Sequence, residues 1–166
     1  DLYEAWLQFD VFEHAFIRAG RQEWKYDDQR LLSARNWNQY GITYDALLLG
    51  YNNSKLQIEG GFSWNNDLES LLDQPYNPRK IRTLNFLYLK NEINKNISGS
   101  LIALMNGYQK NDSSNTIYLR GTYGANAWYK DDLLKIHLAG YYQNGKNSQG
   151  NNVSAYAFFS TASLSI

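Results

Sequence analysis

The feature that most constrains this chain is a two-residue alternation of apolar and polar side chains, carried in runs of about ten residues. In residues 2–12, Tyr3, Ala5, Leu7, Phe9 and Val11 fall in one set, and Glu4, Trp6, Gln8 and Asp10 in the other. A period of two sends the two sets to opposite faces of a strand. The same pattern recurs in residues 15–24, 43–51, 55–64, 116–129, 134–143 and from 153 onward. Residues 82–91 and 97–109 also read as strands, but their faces are ambiguous, because Leu87, Leu89, Ile102 and Leu104 fall on the side that would be polar. The reading is about nine strands in one continuous meander, with no linker dividing the chain.

The connections alternate in length. Those near residues 13, 53, 95 and 131 are short, whereas 25–41, 65–80, 111–115 and 144–151 are longer. Asn52, Asn53 and Ser54 suit a tight hairpin in which Asn supplies the positive φ. The second long connection holds Pro75 and Pro78 and a candidate helical turn over 67–72. Short turns at one end and long loops at the other is the layout of an outer-membrane barrel.

Alternation alone leaves two architectures open, a soluble lipocalin-like barrel with an apolar inside and a membrane barrel with an apolar outside. Aromatic density near strand ends favours the second, since 14 Tyr and 5 Trp exceed what a soluble sandwich needs. Strands long enough for tilted spans point the same way, and a barrel needs no apolar run of helical length. The expected class is therefore all-β, an antiparallel up-and-down transmembrane β-barrel. Single-chain bacterial barrels usually have an even strand number, so nine means either one strand misread or part of a larger barrel, and the second is favoured. The start of the sequence in mid-pattern at Asp1, without a signal peptide, fits a mature segment or fragment. A formal charge of zero argues against nucleic acid as a partner, and the absence of cysteine removes thiolate metal sites and thiol nucleophiles.

Four motifs carry a resemblance. Gly20–Arg21–Gln22, the DQRL stretch at 28–31, Trp37, and Tyr44–Asp45–Ala46 together resemble the alginate-export family of outer-membrane barrels, and the alternating Ala/Tyr residues of 155–166 do so more weakly. The resemblance implies a barrel of about eighteen strands, of which this chain would be about half, with a basic constriction that passes an acidic polysaccharide. It carries Arg21 over as a pore or loop-anchoring cation, followed by Arg30 and Asp28. One departure stands out. Leu48 and Gly50 occupy positions where the family pattern tends to carry lumen-facing arginines, which weighs against alginate-type anion selectivity.

On the polar faces, Arg18, Arg120 and Lys135 are candidate lumen cations, with Glu59 among the acids lining the same wall. Each cation could equally pair with Glu4, Asp10 or Glu59 in an ordinary wall network, and Arg21 could brace the first long loop through Asp27, Asp28 or Asp45. Trp24, Trp37, Tyr40 and Tyr44 offer a sugar-stacking platform or, as the blander alternative, packing of that loop on the wall. His14 and His137 lack a serine motif and are too scattered for zinc, and Asp67, Glu69 and Asp73 match no calcium spacing. No catalytic residue, metal or cofactor is expected. The reading is an outer-membrane porin or export channel for a hydrophilic, anionic solute or polysaccharide, in contact with outer-membrane lipid and with other outer-membrane subunits as candidate partners. The alternative is a non-transporting structural or docking barrel.

Overall fold

The computed structural model describes residues 3–34, 42–64, 81–110 and 116–165. It is all-β: β1 (Ala5–Phe12), β2 (Ala15–Gln22), β3 (Tyr44–Asn52), β4 (Leu56–Trp64), β5 (Ile81–Glu92), β6 (Ile97–Gln109), β7 (Ile117–Lys130), β8 (Leu134–Lys146) and β9 (Asn152–Leu164). All pairings are antiparallel between chain neighbours, giving one nine-stranded sheet in the order of the sequence. The expected up-and-down meander is what forms. The strands read at 2–12, 15–24 and 134–143 differ most from those observed: β1 starts at Ala5, β2 stops at Gln22, so Trp24 leaves the sheet, and β8 runs on to Lys146. The candidate helical turn at 67–72, both prolines, the acids Asp67, Glu69 and Asp73, and Trp37 and Tyr40 lie outside the described residues.

The register resolves the two faces. One row crosses all nine strands through Phe9, Ile17, Leu49, Gly60, Leu87, Ala103, Tyr123, Tyr142 and Tyr156. The parallel row toward the short turns runs Tyr51, Ile58, Leu89, Leu101, Ala125, Gly140, Phe158. Neither row holds a charge. On this face Leu7, Phe9, Leu47, Leu49, Phe62, Leu87, Leu101, Met105, Leu119, Leu138 and Phe158 are mostly 40% exposed or more. Between the two rows, on the other face, lie Asp10, Phe16, Gly50, Glu59, Tyr88, Ile102, Gly124, Tyr141 and Ala157. The ambiguity at Leu87, Leu89, Ile102 and Leu104 therefore has a simple answer. The first two point outward with the apolar rows, and the last two point inward and are covered by a segment that the alternation did not foresee.

That segment, residues 23–34, folds back over the inner face. Trp24 stacks on Tyr44 of β3 at 4.5 Å, and the Arg30 guanidinium lies 3.9 Å above the Phe159 ring of β9. Six strand spacings of ~4.8 Å would hold β3 and β9 ~29 Å apart in a flat sheet. A segment that turns tightly between Tyr26 and Gln29 touches both because the sheet is wrapped around it. The wrap needs space on the concave side. A side chain at Gly61 would fall into the Phe86 ring, and one at Gly124 would meet the Tyr141 ring, so each aromatic lies over the glycine directly across from it.

Three of the four short turns use one device. The Asn53 side-chain oxygen accepts the N–H of Lys55 and Leu56 at 2.9 and 2.8 Å, Asn94 accepts Asn96 and Ile97 at 2.9 Å, and Asp131 accepts Leu133 and Leu134 at 2.9 and 2.7 Å. The positive φ expected of Asn at the second hairpin is not used; the side chain closes the turn instead. Of the four, only the first has a left-handed residue, His14 at φ 71.

The apolar rows predict a sharp response to charge. Leu87→Arg should lower the stability of the lipid-inserted protein by about 2–4 kcal/mol if this face meets hydrocarbon. Denaturant unfolding from vesicles measures it, and a cost near zero would mean that the face is wet. The Asp131 turn predicts a pH effect. The Leu134 N–H, the Tyr129 hydroxyl and the Leu133 N–H hold the Asp131 carboxyl below the usual carboxylate range. With the folded value depressed, the turn's stabilisation is complete above the ordinary aspartate pKa and is lost as pH falls through the depressed value. An NMR titration should therefore place the Asp131 midpoint below that of an unstructured aspartate.

Candidate functional site

The inward segment is produced by two sequence motifs that meet across β2 and β3. In register, Gly20 faces Ala46, Arg21 faces Asp45 and Gln22 faces Tyr44. Gly20 has φ +125, and a side chain there would run into the backbone of Ala5 and Trp6. Arg21 points to the outer side of the sheet end and forms a two-pronged pair with Asp45, at 2.9 and 2.8 Å. Gln22 points inward, is fully buried, and donates to the Ala46 carbonyl at 3.1 Å. With the strand pair locked at its end, the next residue but one, Trp24, turns onto the inner face and is 1% exposed.

Trp24, Tyr26 and Leu32 then pack with Leu48, Leu84, Phe86, Tyr88, Ile102 and Leu104 in a single apolar cluster. Burying each large side chain contributes about 1.5–3 kcal/mol. Tyr26 donates its hydroxyl to Glu59, and burial together with the Glu59 carboxylate pushes the Tyr26 phenol far above its ordinary value. Glu59 also accepts from Asn52 at 3.0 Å and Gln57 at 2.8 Å. It is a buried anchor for the segment.

Asp27 is the polar centre. It sits at φ 51, in the left-handed region, at the tip of the segment. Its carboxylate accepts Tyr88 of β5 at 2.7 Å, Ser100 of β6 at 2.8 Å and Asn126 of β7 at 3.0 Å. Asn126 passes the network to β8, accepting from Tyr141 at 3.3 Å and lying 3.0 Å from His137 Nε2. His137 in turn stacks on Trp128 at 4.8 Å. One carboxylate thus ties the segment to four strands.

The residues singled out from sequence take distinct places. Arg18 is on the inner face, bonded to Gln8 at 3.0 and 2.7 Å and 4.4 Å from the Trp6 ring, rather than paired with an acid. Arg21 shares the outer side with Asp45, with which it braces the strand pair. Asp28 and Arg30 bond to each other within the segment. Arg120 is on the inner face and donates to Tyr108. Lys135 is on the inner face near the short turns, opposite Lys130. Trp24 and Tyr44 stack on each other inside the cluster, so of the two aromatic readings it is packing that these two follow. The structure does not gather Arg18, Arg30, Arg120 and Lys135 into one ring; Arg18 and Lys135 border two different spaces, and Arg30 and Arg120 border neither of them. One, of about 540 Å³, lies between the segment and β1–β4 beside Arg18 and Glu59. The other, of about 510 Å³, lies at the short-turn end beneath Asp27.

From sequence Asp27 enters only as one of three acids that could pair with Arg21, although Asp28 beside it is carried over as a site residue. Its signal was available only in combination: an acid at the centre of an aromatic, charged loop facing strands whose inner rows carry Tyr88, Ser100 and Asn126.

Removing the carboxylate leaves three donors without their acceptor, so Asp27→Ala should cost about 3 kcal/mol or more and release the segment. Limited trypsin digestion reads the release directly, because Lys25 and Arg30 flank the tip. Asp28→Ala, which loses only the Arg30 bond, should cost about 1 kcal/mol or less. Equal protection of the two variants would remove Asp27 from the central role.

No curated protein matches the chain. Residues 1–71 match the family model described as Alginate export. That span includes Gly20–Arg21–Gln22, the stretch at 28–31, Trp37 and Tyr44–Asp45–Ala46, so the resemblance to the alginate-export family holds in the part of the chain that builds and clamps the inward segment.

Proposed function

We propose that this chain forms part of the wall of an outer-membrane channel that passes a hydrophilic, anionic solute or polysaccharide, with residues 23–34 narrowing the lumen. The observation that carries the reading is the division of the sheet into uncharged outer rows and a polar inner face, with a folded segment docked inside. Similarity to alginate export over residues 1–71 supports an outer-membrane export or porin role in general. β1 and β9 each pair with one neighbour in the sheet. Open strand edges are not tolerated in hydrocarbon, which favours a larger closed barrel, on the family pattern about eighteen strands, completed by further strands. Selectivity would come from charged lining groups such as Arg18, Arg120 and Lys135 and from the width left by the segment, with no chemical step.

The depth of the segment's docking favours a second reading, a barrel that holds a partner rather than a flow of solute, because Asp27 ties it to four strands. Planar-bilayer recording of the complete protein separates the two. A channel gives a stable conductance that prefers anions, and Arg18→Gln should reduce that preference. A correctly inserted barrel with no conductance, in the native protein and in Asp27→Ala alike, would overturn the channel and leave the docking role.

A further inference from the structure

We propose that the outer face holds a site for the uncharged saccharide headgroup of a membrane glycolipid, formed by Tyr123, Tyr142 and Tyr156 with Asn144 beside the bare backbone of Gly121. The inference rests on the channel reading above, from which it takes the outer face as the one that meets lipid. The three tyrosines are direct cross-strand neighbours on β7, β8 and β9, and all three are exposed.

The rows on either side of them differ in kind. Toward the short turns stand Ala125, Gly140 and Phe158, with the Phe158 ring lying against Gly140. Toward the long connections stand Gly121, Asn144 and Ser154. On these strands the outer face therefore passes from apolar, through a line of phenols, to amide and hydroxyl. A lipid with acyl chains and a hydroxyl-rich head has the same order along its length. Short turns face the periplasm in outer-membrane barrels, so the phenols lie toward the outer leaflet.

The polar groups of this row are unused, which separates it from a simple interface anchor. At the short-turn end the outer tyrosines serve their own turns: Tyr129 donates to Asp131 at 2.8 Å, and Tyr51 accepts from Asn53 at 3.2 Å. The outer amide of Asn85 donates to Thr83 at 3.0 Å. Among the described residues, Tyr123, Tyr142, Tyr156 and Asn144 have no side-chain hydrogen bond of this kind. Two of these groups also converge. A Cβ at Gly121 would lie 3.0 Å from the Tyr123 hydroxyl and 3.1 Å from the Asn144 amide oxygen, so glycine leaves a notch between them. One sugar hydroxyl in that notch can accept from the phenol and donate to the amide at once.

Charge selects the class of headgroup. The three rows carry no lysine or arginine on β7, β8 or β9, so a phosphate has no cation to receive it. Neutral hydroxyls are what a phenol, an amide and a serine can pair, and the tyrosine rings offer an apolar face to the ring of a sugar. The row spans two strand spacings, ~10 Å, which matches a headgroup of two sugars.

Native mass spectrometry of the complete protein in a sugar-free amine-oxide detergent tests the site, with digalactosyl diacylglycerol and phosphatidylglycerol of matched chains as probes. Native protein should retain the galactolipid over the phospholipid by tenfold or more. Tyr123→Phe/Asn144→Leu, which keeps the ring and removes both hydrogen-bonding groups, should abolish that preference. Asn85→Leu, a change to an outer amide already bonded within the chain, should leave it intact. Equal retention of the two lipids by native protein, or an undiminished preference in the double variant, would overturn the site. A spin label at Leu101→Cys, in the apolar row of a chain without cysteine, reports the surroundings of the outer face separately. A label reached by oxygen and shielded from an aqueous nickel chelate, with no preference for the galactolipid, sinks the site and leaves the channel reading standing. A label open to the chelate removes the lipid-facing surface and the site with it.

Discussion

The structure turns on one carboxylate. Asp27 lies at the tip of a segment that leaves the sheet after β2 and crosses its concave face, and it accepts hydrogen bonds from β5, β6 and β7, with β8 joined through Asn126. Each donor alone would be a modest contribution, because folding exchanges it for water. Together they satisfy the carboxylate at the half-buried tip of the segment, which is what makes docking a charge there tolerable. The apolar half of the docking, Trp24, Tyr26 and Leu32 on Phe86, Tyr88 and Ile102, supplies the larger free energy but little direction. The carboxylate supplies the direction. Its left-handed backbone, and that of Gln29 two residues on, is a strain borne because the turn must aim the acid inward.

The sheet makes room for this by pairing bulk with absence across strands. Phe86 lies over Gly61, Tyr141 over Gly124, and Phe16 over Gly50. A glycine in a strand weakens it, but a ring from the facing strand covers the exposed backbone and recovers the packing. The same substitution of ring for side chain lets the wall curl tightly enough for a short segment to touch β3 and β9 at once. The outer face shows the opposite economy: its rows of Leu, Ile, Ala, Phe and Tyr carry no charge, and their side-chain polar atoms are tyrosine hydroxyls.

Much of this was legible in the sequence because alternation is a local property. The strands, their order and the short turns follow from a period of two broken by Asn, Asp and Gly, and eight of nine strand starts need no information from afar. The inward segment was not legible, because what holds it is distant in the chain: Asp27 meets Asn126 and Tyr26 meets Glu59. The same fact explains Ile102 and Leu104. They look misplaced on a polar face until the segment that covers them is known, and their apolarity was the sign that something covers that face. Arg21 takes the face opposite Arg18 for a simpler reason. Register places it with Ala5 and Asp45 on the outer side, and parity within β2 already separated it from Arg18. The turns were right in place and wrong in chemistry, since Asn53 closes its hairpin through its side chain.

The departure at Leu48 and Gly50 also acquires a physical reason. The family pattern tends to set lumen-facing arginines there, and in this chain those positions lie under the docked segment and the Phe16 ring. An arginine at Leu48 would be buried in the cluster that holds Trp24 and Tyr26, a cost of several kcal/mol unless it were paired. Apolar residues at this level and a docked segment above them are therefore one arrangement and not two. Where the segment ends, at the short-turn side of Asp27, the inner face is free again, and there the lysines on β5, β7 and β8 stand without acid partners among the described residues. The cluster at Leu48 thus excludes charge where it is dry, and the lysines stand where solvent still reaches the inner face.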